Sequence, residues 1–375
     1  MKIFLKKRLM TILLCAVLAF TLSGCEGKGK IDASNATITE THQSESAEAA
    51  QTSESTPSDE AGASTEASNE TPVPEEPITL RIGALKGPTT MGLLFLMEDQ
   101  KNGKTKNDYE FQMATGADEL LPLMVSGKLD IALLPANVAA ILYQKTEGGV
   151  AVIDVNTLGV LYLVSSDDSI KSLEDLRGRT VYLTGKGTTP DCVLQYLLKA
   201  VGLEEGDVTL EYKSEASEVA AVLAQKKDAI GFLPQPFVTA ACMQNDSLKI
   251  VLSAHELWQE VHNADDRALV TGVTVVRKDI LESHPEAIKT FLEEHAASAT
   301  AINGDPATGA KLAVEAGIVA KEPIASKAIP YCNIACVQGE SMKDMLSSYL
   351  QVLFDFDKTT IGGKLPEDDF YYLGK

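Results

Sequence analysis

Lys86-Gly87-Pro88-Thr89-Thr90 returns one hundred positions later as Lys186-Gly187-Thr188-Thr189-Pro190. Glycine and threonine in such a string suit one kind of chemistry, the gripping of a polar or anionic group by backbone N–H groups and hydroxyls. Each copy follows a short apolar run, Leu80 to Leu85 and Thr180 to Thr184, and opens a helical pattern, Met91 to Asp99 and Cys192 to Ala200. The first N–H groups of a helix have no partner within it, and the dipole makes that end positive. Two such ends facing each other across a cleft can hold a small polar solute from both sides. Taken singly, each copy also reads as an ordinary strand-to-helix turn, where Gly, Thr and Pro are common anyway.

Other chemistry has less support. There is no Gly-x-Ser-x-Gly elbow, no His-Glu-x-x-His and no complete Gly-x-x-x-x-Gly-Lys-Ser/Thr phosphate loop. His255, His262, His284 and His295 all fall outside the two turns, and His255 and His262, which flank Trp258 in a polar stretch, read as surface residues. No catalytic residue and no cofactor is expected. Cys192, Cys242, Cys332 and Cys336 show no CxxC spacing. A bridge between Cys332 and Cys336 has poor geometry if that segment is helical. With no histidine nearby in the sequence no metal is expected, and the four read as structural.

The elements that must position the turns alternate from residue 78 onward, which predicts an α/β fold with largely parallel sheets. Strands are expected over 80–85, 109–114, 129–134, 180–184, 208–212, 228–233 and 272–276, with helices between them and further helices over 285–302 and 342–356. Val160 to Val164 can carry the chain out of a first lobe. Asp130 to Leu134 followed by Pro135-Ala136-Asn137, and Asp228 to Leu233 followed by Pro234-Gln235-Pro236, form a second repeated element. Phe370-Tyr371-Tyr372 is expected to dock on lobe one.

Before residue 78 the chain is of another kind. Lys2, Lys6, Lys7 and Arg8 precede an apolar run, Met10 to Phe20, too short for a comfortable membrane span. Leu22-Ser23-Gly24-Cys25 resembles a bacterial lipobox, which implies removal of 1–24 and acylation of Cys25. Residues 31–77 hold eleven acids and no Lys or Arg, with few large apolar side chains. Such a segment cannot bury enough surface to order itself and is expected to serve as a stalk. The whole chain carries a formal charge of −20. Without the leader's four basic residues, the stalk's eleven acids and a net +1 over 26–30, −14 remains on residues 78–375. That acidity argues against nucleic acid as a partner.

One ordered set of segments resembles a known family. Ser172-Leu-Glu-Asp-Leu-Arg-Gly-Arg-Thr-Val181, Gly187-Thr188-Thr189, Leu198 with Val201-Gly202-Leu203, Asp207-Val208, Asp228-Ala229 and Pro234-Gln235-Pro236-Phe237 are similar to the nitrate, sulfonate and taurine-type solute-binding proteins of ABC importers. The fungal thiamin-pyrimidine synthases share that fold, but Tyr331-Cys-Asn-Ile-Ala-Cys336 is too sparse for their cysteine-dense iron site. The resemblance covers roughly 78–360. It implies a two-lobed type II periplasmic-binding-protein fold, with lobe one at 78–164 plus 270–375 and lobe two at 165–269. It also implies an extracytoplasmic, lipid-anchored monomer that closes on a small solute and delivers it to a permease and ATPase.

Carried over position by position, Lys86, Gly87, Pro88, Thr89, Thr90 and Met91 form one wall and Gly187, Thr188, Thr189 and Pro190 the other. Asn137 and Gln235 sit at strand ends, where open α/β sheets bind ligands. Each amide suits a polar group, or simply caps its own turn. Thr115-Gly116 can line the floor. No arginine lies in these turns, so the ligand can be an anion held by helix ends, by Lys86 and by Lys186. It can also be a neutral heterocycle, stacked on Tyr162, Phe237, Trp258 or Tyr331, although each of these aromatics reads first as a packing residue. A surface sensor using the same clamshell fits the sequence as well.

Overall fold

The computed structural model describes residues 78–262 and 267–374. The leader, Cys25 and the acidic segment lie outside the described residues. Within them, apolar runs bounded by turns become strands in two sheets. In the first, β1 (Thr79–Leu85) runs parallel to β2 (Asp108–Ala114) on one side and β3 (Ile131–Pro135) on the other. Helices α1 (Pro88–Met91), α2 (Leu94–Lys101) and α3 (Ala117–Val125) make the crossovers, and α4 (Ala136–Lys145) follows β3. The chain then forms β4 (Val150–Thr157) and crosses to the second sheet through Leu158–Val160, entering it as β5 (Leu161–Ser165). The expected exit at 160–164 is thus already a strand of the second sheet.

That sheet repeats the plan. β6 (Thr180–Thr184) lies parallel between β7 (Thr209–Lys213) and β8 (Ile230–Pro234), with α5 (Thr189–Ala200), α6 (Ala216–Gln225) and α7 (Phe237–Gln244) after the three strands in turn. β9 (Lys249–Ser253) and α8 (Ala254–His262) lead back, and β10 (Gly272–Arg277) enters the first sheet. In both sheets a strand delivered by a crossing segment lies antiparallel beside the third parallel strand, β10 against β3 and β5 against β8. The orders are β2-β1-β3-β10-β4-β11 and β7-β6-β8-β5-β9, where β11 is Ile334–Val337. The remaining helices, α9 (Lys278–Ser283), α10 (Pro285–Gly304), α11 (Pro306–Glu315), α12 (Glu322–Ala328) and α13 (Gly339–Phe356), follow β10.

Side chains alternate across the first sheet with the period of a strand. Ile131 and Leu133 join Leu80, Ile82 and Phe291 of α10 in one core, while Ala132 and Leu134 join Leu120, Val275, Leu346 and Tyr349 in another. Both faces are therefore covered, as parallel sheets require.

Several elements differ from the sequence reading. The single helix expected from Met91 is broken into α1 and α2 at Gly92, where α10 comes close: a Cβ on Gly92 would meet His295 Nε2 at 3.2 Å and Ile334 at 3.3 Å. β4 was not expected, nor were β9, α8, α11, α12 and β11. Every residue of β4 is buried, so no in–out alternation marks it, and polar Asp154, Asn156 and Thr157 interrupt its apolar run. They are tolerated because they bond to one another through β10. Thr274 Oγ1 donates to Asp154 Oδ1 at 2.9 Å and accepts from Asn156 Nδ2 at 3.1 Å, and Thr157 donates to Asn156 Oδ1 at 3.0 Å.

The stretch holding His255 and His262 is helix α8, and Trp258 is fully buried against Tyr196, His262 and Tyr349. Neither histidine is fully exposed, and burial lowers the pKa of both. The C-terminal segment docks as expected. Phe370 is buried beside Tyr143, and the Tyr372 N–H donates to the Val152 carbonyl at 2.9 Å, extending the edge made by β11. Cys192, Cys242, Cys332 and Cys336 are all free thiols, Cys332 just after a 3-10 turn and Cys336 in β11.

Candidate functional site

The two similar turns have different backbones. Gly87 is extended, with φ 174°, and leads into the four-residue helix α1 through Pro88. Gly185 and Gly187 both take positive φ, 72° and 74°, where a side chain is strained, and α5 starts two residues later for a full twelve-residue run. One sequence pattern thus makes a shallow bend on one side and a tight left-handed loop on the other.

Between them lies a cavity of about 640 Å³, within the range of small-molecule sites. Lys86, Gly87, Pro88 and Thr89 line it from the first turn, Gly187, Thr188, Thr189 and Pro190 from the second, and Thr115-Gly116 beside them. Lys186 is a further lining residue. The remaining expected residues lie elsewhere, for local reasons. The Thr90 hydroxyl donates to the Leu85 carbonyl and is fully buried, and Met91 packs into the core beneath α1. Gln235 caps its own helix: Oε1 accepts from the Thr239 N–H at 3.1 Å and the Thr239 hydroxyl at 2.8 Å. Asn137 is fully buried and tied across the two sheets. Its Nδ2 donates to the Gly187 and Thr360 carbonyls at 3.0 Å each, and its Oδ1 accepts from the Thr189 hydroxyl at 3.2 Å. Of the four aromatic candidates Phe237 alone lines the cavity. Tyr162 reaches toward the Tyr331 carbonyl at 3.5 Å, Tyr331 is exposed, and Trp258 is in the core.

Other lining residues were not read from the sequence. Ser214, Glu215, Ala216 and Ser217 occupy the same step in the second sheet, strand to helix start, that Thr115-Gly116-Ala117 occupies in the first. That parallel was available as a signal. Thr271, beside β10, and Gly317-Ile318, after α11, reach the site through tertiary folding with no local mark.

The electrostatics are uneven. The first residues of α1, α3, α5 and α6 all contribute to the lining. At α3, α5 and α6, however, a protein carboxylate already occupies the helix end: Glu119 accepts from the Thr115 and Gly116 N–H groups at 2.9 and 3.1 Å, and Glu218 from the Ser214 N–H at 3.1 Å. Asp191, nearly fully buried, accepts from the Gly187 N–H at 2.7 Å, from the Tyr212 hydroxyl at 2.7 Å and from Gln195 Nε2 at 2.6 Å. Burial, with the bond to Asp191 adding to it, raises the Tyr212 pKa, so the phenol keeps its proton as a donor. The Thr188 hydroxyl is likewise spent on the Gly185 carbonyl at 2.6 Å. By contrast, the buried hydroxyls of Thr89 and Thr271 have no hydrogen-bond partner. A buried hydroxyl left unpaired costs about 1–3 kcal/mol; both residues line the cavity, with the hydroxyl oxygens themselves buried. Lys86, Lys145 and Lys186 are exposed at the rim, with Asp118 and Glu215. No arginine is among the described lining residues. Leu121, Val138, Ile141, Phe237 and Ile318 make the rest of the wall apolar. The cavity therefore suits a molecule with a polar or anionic head and an apolar body.

No curated protein matches the sequence. Among solved structures, an ABC transporter protein from Parabacteroides distasonis superposes with a TM-score of 0.66 at 23% identity, over 78% of this chain and 98% of that one. The periplasmic aliphatic sulphonate-binding protein SsuA from Escherichia coli gives 0.62 at 16%, over 79% and 91%. The alkanesulfonate-binding protein SsuA from Xanthomonas axonopodis pv. citri, bound to MOPS, gives 0.59 at 17%, over 78% and 96%. At these identities the likeness is one of fold, the two-lobed type II periplasmic-binding fold. Residues 101–318, more than half of the chain, match the family described as the phosphonate periplasmic substrate-binding protein of ABC transporters. The chain therefore belongs to that family of ABC-importer substrate-binding proteins, which are not enzymes.

Proposed function

We propose that this chain is the lipid-anchored receptor of an ABC importer, taking up a small molecule with a phosphonate- or sulfonate-type head and an apolar body. The observation that carries this reading is the pair of unpartnered hydroxyls, Thr89 and Thr271, set in a cavity whose other walls are helix starts and aliphatic side chains. An anionic oxygen accepting from them restores two hydrogen bonds, while the ends of α3, α5 and α6 are already faced by Glu119, Asp191 and Glu218. The rim lysines raise the local anion concentration. The body of the ligand lies against Leu121, Ile141 and Phe237. Lobe one comprises 78–158 and 272–374 and lobe two the residues between, so that closure turns on Leu158–Val160 and the returning segment near Thr271. Cys25 holds a monomer at the membrane, and the acidic segment gives it reach toward its permease and ATPase.

A thermal-shift screen tests the ligand class, using alkylphosphonates, alkanesulfonates, nitrate and thiamin pyrimidines. A ligand at 100 times its dissociation constant adds about 2.7 kcal/mol of stability. The expected result is a shift with phosphonates or sulfonates that grows with tail length up to the size of the cavity. A shift confined to neutral heterocycles would overturn the anionic head and transfer the binding role to Phe237. Cys25→Ser tests the anchor: the variant is expected to leave the membrane fraction.

A further inference from the structure

We infer that Asp154, His295 and Cys336 form a binding site for a zinc-class divalent cation, separate from the solute cavity. The three come from β4, α10 and β11, and none of them lines the cavity. Asp154 and His295 are fully buried, while Cys336 is half-buried and gives the site a way in. His295 Nδ1 lies 3.1 Å from Asp154 Oδ2 and 3.9 Å from Cys336 Sγ, and the three ligand atoms all lie within 4.8 Å of one another. Around a tetrahedral zinc ion, with bonds of about 2.0–2.3 Å, neighbouring ligand atoms sit about 3.3–3.7 Å apart. Small side-chain shifts bring this trio to that spacing.

The arrangement does not suit nucleophilic catalysis. A thiol–imidazole–carboxylate relay needs the thiol and the carboxylate on opposite ring nitrogens. Here both face Nδ1, and Nε2 has no partner. Convergence of three donors on one point is what a metal ion requires. The Nε2 atom stays unpaired whether a proton or a metal occupies Nδ1, so its cost favours neither.

The supporting groups are also in place. Thr274 holds Asp154 Oδ1 at 2.9 Å and is itself fixed by Asn156, which leaves Oδ2 aimed at the site. The Gln338 amide donates to Cys336 Sγ at 3.3 Å, an interaction that favours thiolate. Such outer partners orient ligands and set affinity. One carboxylate and one thiolate neutralise a dication, and thiolate with imidazole selects zinc-like ions over calcium or magnesium. β11 pairs with β4 at only two positions with a register shift between them. An ion here would pin that edge strand to the middle of the sheet and to α10.

The test uses the full chain, reduced and stripped of metal with a chelator. Titration with Co²⁺ is expected to produce a thiolate-to-cobalt charge-transfer band that saturates at one equivalent and is displaced by Zn²⁺. The band is expected to vanish in Cys336→Ser, to persist in Cys332→Ser, and to need about 10–100-fold more ion in Thr274→Val. Zn²⁺ should raise the melting temperature of the unmodified chain and leave that of Cys336→Ser unchanged. A chain that gives no cobalt band, or a band that survives Cys336→Ser, overturns the assignment. Since Cys336 is half-buried at an edge strand, its variant is expected to fold and the outcome to be readable.

Discussion

Asn137→Ala removes a single side chain that ties three distant segments together. Asn137 belongs to α4, beside the first sheet. Gly187 and Thr189 belong to the turn before α5 on the second sheet, and Thr360 to the 3-10 turn Lys358–Ile361 after α13. Each of the three hydrogen bonds joins neutral groups, one buried and two part-buried, and is worth about 0.5–1.5 kcal/mol net. Thr189 retains an alternative acceptor in the Thr271 carbonyl at 3.3 Å, so its hydroxyl is not orphaned. The Gly187 and Thr360 carbonyls have no such substitute among the contacts of Asn137. The expected loss is therefore about 2–4 kcal/mol, a fall in melting temperature of roughly 4–10 °C. Asn137→Asp should cost more, because a carboxylate would face those two carbonyl oxygens with nothing to donate. Denaturant and thermal melts of the ligand-free protein measure both. Small-angle scattering adds a geometric readout, since a broken interlobe tie should enlarge the radius of gyration. If Asn137→Ala stays within about 1 kcal/mol of the unmodified chain, or if the Asp variant is as stable as the parent, the side chain is not the tie described here.

Thr89→Val and Thr271→Val each delete an unpartnered hydroxyl, so ligand-free stability should hold or rise while affinity for an anionic ligand falls about 10–100-fold, from a charge-assisted bond of about 1.5–3 kcal/mol. Calorimetric titration beside a melting curve checks this, and a destabilised protein with intact affinity would assign the hydroxyl to the fold. Lys86→Met and Lys186→Met should slow association and flatten its salt dependence with little change in dissociation, because both charges are on the rim. Stopped-flow binding at two ionic strengths would show it, and unchanged association rates would remove the lysines from capture. His262 is held neutral, with Nδ1 on the Trp258 carbonyl at 2.7 Å and Nε2 facing the Tyr196 hydroxyl at 3.0 Å, and burial lowers its pKa. The unfolded chain binds the proton more readily, so this contribution is complete above about pH 6.5 and is lost as pH falls through the lowered folded value. His262→Gln should flatten the stability profile in that window, as urea melts across pH would report.

What was legible in the sequence was local. A strand, its turn and the start of the next helix fall within about twenty residues, and each carries its own period and its own glycine, so β1 with its turn and β6 with its turn could both be read. β4 could not, since burial on both faces removes the alternation and its polar residues bond to β10, which lies 118 to 120 positions away. The Asp154–His295–Cys336 cluster was hidden for the same reason. The absence of a histidine near Cys336 in sequence says nothing about α10, which brings one from 41 positions upstream. His255 and His262 were misplaced because the polar residues around them belong to the outer face of a helix whose inner face holds the buried Trp258.

The repeated turn shows most clearly where pattern and role part. The two strings differ by the position of one proline, yet their consequences are opposite. In the first, Pro88 starts the helix at once, Gly87 is extended, and Thr89 is left with an unspent hydroxyl beside the cavity. In the second, Thr188 precedes the helix, two glycines take positive φ, and Asp191 folds back onto the Gly187 N–H. The donors and acceptors of the second turn are then used within the protein, by Asp191, by Gly185 and by Asn137 across the cleft. A ligand closing the cavity therefore meets one wall that offers hydrogen bonds and one that already holds the lobes together. On the closure proposed above, substitutions in the first turn should act mainly on affinity and those in the second mainly on the balance between open and closed forms. Equal effects of Thr89→Val and Thr189→Val on both quantities would contradict that division.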